Sequence, residues 1–107
     1  MIESAIERRL VREVTRRGGL CYKWVSPGIS GVPDRIIITP EGRTIYVELK
    51  TLQGVLSARQ KYVHAELRRR GADVRVLKGL QQVLDFVDEV IPCYSNRINI
   101  KNTASSG

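Results

Sequence analysis

Two β-branched runs separated by three residues constrain this chain more than anything else in it. Asp34-Arg35-Ile36-Ile37-Ile38-Thr39 and Arg43-Thr44-Ile45-Tyr46-Val47-Glu48-Leu49-Lys50 flank Pro40-Glu41-Gly42. This is the pattern of a hairpin with a three-residue loop, in which Pro40 and Glu41 take a type I turn and Gly42 the left-handed position. Thr39 then pairs with Arg43, and Asp34 falls directly opposite Glu48 on one face, Cβ atoms roughly 5 Å apart. Two carboxylates that close repel each other, which raises one pKa and destabilises the sheet unless a cation sits between them. A divalent ion such as Mg²⁺ would take oxygens from Asp34, Glu48 and the backbone carbonyl of Leu49, with waters and a substrate phosphate completing its shell. Lys50, two residues beyond Glu48, returns to the same face, where it could hold a scissile phosphate or orient a water. The competing reading is a solvated hairpin with a Glu/Lys pair on its exposed face. The preceding Pro33-Asp34 and the hairpin register favour the metal site.

The remaining elements read as α-β-β-β-α-β-α in an α/β fold, a central mixed sheet flanked by helices. Ile2, Ile6, Leu10, Val11 and Val14 recur at helical spacing, so residues from about Ile2 to Arg17 form a helix stopped by Gly18-Gly19. Leu20 to Val25 is the first strand, and the loop with Pro27, Gly28 and Gly31 leads to Pro33 and the hairpin. After a second loop, Thr51 to Leu56, Ser57 and Gln60 have capping-box spacing ahead of Tyr62, Val63 and Leu67. Gly71 ends that helix. Asp73 to Leu77 is a fourth strand, expected parallel to the third because a helical crossover joins them. A last helix runs from about Leu80 to Val90 before Pro92. Residues 1–92 are expected to form one domain, and 93–107, polar with little to bury, a flexible tail.

Eighteen Lys and Arg against eleven Asp and Glu leave a formal charge of +7, which favours a polyanionic partner. Anionic membrane is the rival polyanion, but no long apolar run, signal peptide or lipidation signature accompanies the charge, so no membrane partner is expected. The expected location is intracellular: bacterial or phage-infected host cytoplasm. Cys21 and Cys93 lack metal-ligand spacing and read as free thiols. The arginines cluster: Arg8, Arg9, Arg12, Arg16 and Arg17 on the first helix, Arg59, Lys61, Arg68, Arg69 and Arg70 on the second. Solvated faces are the ordinary explanation of such runs. Segregated from the acids, they suit the gripping of DNA phosphates.

Glu3 and Glu7 fall inside the arc of Ile6, Leu10 and Val14, where carboxylates seldom lie unpartnered. Either they sit at the rim of the core, with Glu3 favoured by the helix dipole, or one joins the metal site. Tyr22 and Trp24 share one side of the first strand and read as core packing rather than base stacking. His64, the only histidine, has no second imidazole nearby in sequence and is assigned no catalytic role.

Pro33-Asp34 followed by Glu48-Leu49-Lys50 in this order of elements resembles the PD-(D/E)XK nuclease superfamily, with its restriction-endonuclease-like core. More narrowly, Gly31-Val32-Pro33-Asp34-Arg35, Val47-Glu48-Leu49-Lys50 and Gln60 resemble the VRR-NUC family, in its stand-alone phage and bacterial form, from Met1 to about Val90. The resemblance implies that Asp34 and Glu48 bind the metal, that Lys50 assists catalysis and that Gln60 is the motif glutamine, here on the helical face of Val63 and Leu67. It also implies a helix-one glutamate: Glu3 by the spacing of short family members, or Glu7 by likeness to archaeal Holliday-junction resolvases.

The expectation is therefore a Mg²⁺-dependent endonuclease, with Mn²⁺ substituting and no small-molecule cofactor. It would act on branched DNA, four-way junctions included, as a homodimer. Its dimer surface is expected on the side of the second helix bearing Ala58, Tyr62 and Ala65, or on the exposed side of the last helix. Two alternatives stay open. One is a basic nucleic-acid-binding module without catalysis, the other a flap- or duplex-directed, restriction-type nuclease.

Overall fold

The computed structural model describes residues 2–92. Cys93 and the tail expected at 93–107 lie outside the described residues. The order is α1 (Glu3–Arg16), β1 (Leu20–Lys23), β2 (Arg35–Ile38), β3 (Thr44–Lys50), α2 (Ala58–Arg69), β4 (Val74–Lys78) and α3 (Gly79–Val90). The four strands lie side by side in sequence order, β1/β2 and β2/β3 antiparallel and β3/β4 parallel through the α2 crossover.

The hairpin has the expected register. Arg35 opposes Val47 and Ile38 opposes Thr44, and the Thr39 N–H donates to the Arg43 carbonyl at 2.9 Å. Continuing that count sets Asp34 opposite Glu48. Gly42 stands at φ +91° with open space around its Cβ position, so its role is the left-handed turn alone. Gly31 has a second reason to be glycine. A Cβ there would lie 2.9 Å from the Arg59 carbonyl oxygen, so the loop before Pro33-Asp34 is seated directly on the first turn of α2.

Strand alternation sorts the molecule into layers. Ile37, Ile45, Val47, Leu49 and Leu77 point one way and meet Ile6, Leu10 and Val14 of α1 and Val83, Phe86, Val87 and Val90 of α3 in one buried cluster. The opposite face carries Tyr46, Glu48 and Lys50 and is covered by α2. That helix begins with the expected capping box: the Gln60 N–H donates to Ser57 Oγ at 3.0 Å, and the Ser57 N–H to Gln60 Oε1 at 2.9 Å.

Two expectations fail in the packing. Tyr22 is 58% exposed, not core, because β1 is an edge strand and α2 does not reach over it. Trp24 does pack, its ring 5.2 Å from that of Tyr46. The outward side of α3 carries Gln81, Gln82, Asp85, Asp88 and Glu89, all exposed and polar, so it offers no second apolar stripe.

Candidate active site

The α2 face of the sheet gathers the four catalytic candidates singled out from sequence, Asp34, Glu48, Lys50 and Gln60. Glu48 is buried to 2% exposure, its carboxylate beneath α2. Gln60 reaches down from the first turn of that helix and donates from Nε2 to Glu48 Oε2 at 2.9 Å. Its carbonyl oxygen is already taken by the capping box, so both ends of the amide are fixed and its orientation is unambiguous. Lys50 Nζ lies 3.8 Å from the same Oε2.

Asp34 arrives from the other hairpin arm. Its Oδ2 accepts the Leu49 N–H at 2.8 Å, and its carbonyl accepts the Trp24 N–H at 3.0 Å. A side-chain oxygen thus takes the place of a strand carbonyl, which is why the β2 ladder stops at Arg35 although the register continues. The two carboxylates feel each other. Burial first and the Asp34 charge second push the Glu48 pKa up to about 7, against the pull of Lys50.

Glu48 Oε1 is buried without a hydrogen-bond partner. An orphaned, desolvated carboxylate oxygen opposite a second carboxylate fits a hard divalent cation. Among the described residues no three His, Cys, Asp or Glu side chains form a complete metal cage. A Mg²⁺ site needs none, since it ordinarily keeps waters and takes only one or two carboxylates beside the substrate phosphate.

The two helix-one candidates separate. Glu7 is committed to Arg35, whose Nε donates to it at 2.7 Å on the α1 side of the sheet. Glu3, exposed at the start of α1, is near enough for its charge to raise the Glu48 pKa further.

The basic set divides as well. Arg9 and Arg16 are spent on Glu13, an acid sequence reasoning passed over, which is buried and held below the usual carboxylate range by Arg16 first and Arg9 second. Arg69 and Arg70 pair with Glu66, Arg68 donates to the Val74 carbonyl, and Arg59 lies over the Tyr62 ring and donates to Ser30. Among the described residues Arg8, Arg12 and Lys61 are exposed and make no ion pair. Arg8 and Arg12 line an open groove of about 740 Å³ beside α1 with Arg35 and Glu7.

His64, assigned no catalytic role from sequence, also lies against this site. It is completely buried, and its Nε2 is 3.8 Å from Glu48 Oε1, a contact that the helical spacing from Gln60 could have suggested. Desolvation, then the Arg68 charge, lower its pKa, which favours the neutral imidazole.

Comparison with known proteins agrees with this fold. The family model for the VRR-NUC domain matches residues 4–81. The protein named "Putative nuclease p44" of Acyrthosiphon pisum secondary endosymbiont phage 1 is 45% identical over 88 residues, covering 80% of this chain and 95% of its own. A solved structure described as "VRR_NUC domain" superposes with a TM-score of 0.75 at 32% identity, covering 81% of this chain and 94% of that one. A second, "VRR_NUC domain protein", shares the fold with a TM-score of 0.70 at 18% identity, over 85% and 88% of the two chains. The mixed four-stranded sheet, the family match and these relatives together make the chain a member of the VRR-NUC domain family of nucleases.

Proposed function

We propose that this protein is a Mg²⁺-dependent endodeoxyribonuclease that cuts branched DNA, two copies acting together on four-way junctions. The observation that carries the catalytic reading is Glu48: buried, opposite Asp34, one oxygen without a partner. A fold tolerates that arrangement where a cation completes it. Asp34, Glu48 and the Leu49 carbonyl would hold Mg²⁺, with Glu3 rather than Glu7 as the outlying acid. Bound there, the metal supplies Lewis-acid activation of a water and of the phosphoryl oxygen.

The chain's own residues do the rest. The Leu49 N–H fixes Asp34, and Gln60 fixes Glu48. Lys50, on the same strand face, holds the scissile phosphate or orients the attacking water. Arg8, Arg12 and Lys61, uncommitted within the described chain, grip the DNA backbone without reading sequence. A two-fold pair of protomers would present two such sites to a two-fold-symmetric junction.

Labelled linear duplex, flap and four-way junction DNA, incubated with Mg²⁺, Mn²⁺ or EDTA, test the reading. Paired nicks in the junction with either metal and none in EDTA are expected, with linear duplex spared. Preferred cutting of flaps or duplex would shift the assignment to a flap- or duplex-directed nuclease. Tight binding without cleavage under any metal would leave a binding module.

A further inference from the structure

Helix α2 aims two side chains at Glu48 from successive turns. Gln60 donates to Oε2 at 2.9 Å, and His64, four residues on, holds Nε2 3.8 Å from Oε1. Neither His64 ring nitrogen has a hydrogen-bond partner, nor does Glu48 Oε1, and all three atoms are buried. Buried polar atoms of native proteins are rarely left in this condition. Here the orphans face each other across a gap roughly 0.8 Å longer than an ordinary N–H···O bond.

We propose that His64 is a positioning residue: its Nε2–H closes onto Glu48 Oε1, so that Gln60 and His64 together hold both carboxylate oxygens and leave the remaining lone pairs for a metal. The inference rests on the reading of Asp34 and Glu48 as metal ligands. A neutral imidazole has one donor and one acceptor, so the role requires the proton on Nε2 and leaves Nδ1 bare. A ligating carboxylate braced in this way cannot swing toward Lys50, and loss of such outer partners typically weakens metal binding about 10–100-fold.

Because His64 is the only histidine, its ring resonances can be read in the unaltered protein. Long-range ¹H–¹⁵N spectra are expected to show the Nε2–H tautomer, with that proton shifting when Mg²⁺ is added in place of EDTA. The Nδ1–H tautomer would overturn the proposal.

A second measurement counts free Mn²⁺ by electron paramagnetic resonance, without DNA. His64→Phe should weaken Mn²⁺ binding about tenfold or more, and His64→Gln, which restores a donor near the Nε2 position, should recover it to within about threefold. Thermal midpoints in EDTA score any packing loss separately. Wild-type Mn²⁺ affinity in His64→Phe, or no recovery in His64→Gln, refutes the positioning role. Where the aromatic variant does not fold, the wild-type resonance decides alone. Glu48→Gln separates the two levels: if it keeps Mn²⁺ affinity the metal reading itself fails, whereas loss there without loss in His64→Phe sinks only this inference.

Discussion

Glu48 is the residue on which stability and the proposed function pull in opposite directions. Its carboxyl titrates at about 7 in the folded protein against 4.5 ordinarily, because it is desolvated and faces Asp34. A group whose pKa is raised by folding favours the folded state below its ordinary value and loses that contribution as pH rises through the folded value. Without metal, the protein should therefore lose on the order of 3 kcal/mol as pH rises from 4.5 past 7. Thermal midpoints in EDTA should fall across that window, and added Mg²⁺ should restore them most above it. Glu48→Gln should flatten the profile and abolish cleavage, and Asp34→Asn should abolish cleavage as well, both with DNA binding nearly intact. A falling profile that persists in Glu48→Gln would place the titration elsewhere. What sequence could show here was local: strand alternation and a three-residue loop are enough to set Asp34 against Glu48. The i, i+4 spacing from Gln60 puts His64 on the same helical face, but its distance from Glu48 depends on how α2 settles on the sheet.

At the scale of elements, helix α1 shows where charge counting misleads. Its four arginines and the capping Arg17 read alike in sequence, yet Arg9 and Arg16 share Glu13, and Arg17 pairs with Asp88 of α3 at 2.7 Å. Glu13 was passed over in sequence: its partners sit three and four residues away on the same helix, and its burial comes from tertiary packing. Reversing Arg8 and Arg12 together should weaken DNA binding for all sequences and flatten its salt dependence, by about one in log–log slope for each phosphate no longer gripped. Glu13→Gln should behave differently. It should destabilise the fold by about 2 kcal/mol and spare DNA affinity, since it removes charge-assisted bonds to arginines rather than a grip on phosphate. Fluorescence anisotropy across a salt series, paired with denaturant melts, distinguishes these outcomes. Equal loss of affinity in both variants would mean that the whole helix face grips DNA. Helix α2 was the most legible element, because its start is written in the Ser57–Gln60 box and its inward glutamine follows from the face it shares with Val63 and Leu67.

At the scale of the molecule, the layers leave surface that one chain does not cover. Helices α1 and α3 close one face of the sheet, whereas α2 closes the other only over β3 and β4, so Leu20 and Tyr22 on the β1 edge stay exposed. The polar outer side of α3 removes it as a contact between protomers, leaving the α2 stripe of Ala58, Tyr62 and Ala65, every member of which is exposed. If two protomers cut a junction together, light scattering at micromolar concentration should give about twice the 12.1 kDa chain mass. Tyr62→Glu should return it to one chain by placing a charge in the middle of the interface, and paired nicks should become single, uncoordinated ones while Mg²⁺ binding is unchanged. Dissociation by Tyr22→Glu instead would move the interface to the β1 edge, where unpaired strand groups invite a second sheet. A strict monomer, with and without junction DNA, that still nicks junctions would end the paired-cut mechanism and favour a nuclease directed at flaps or linear duplex.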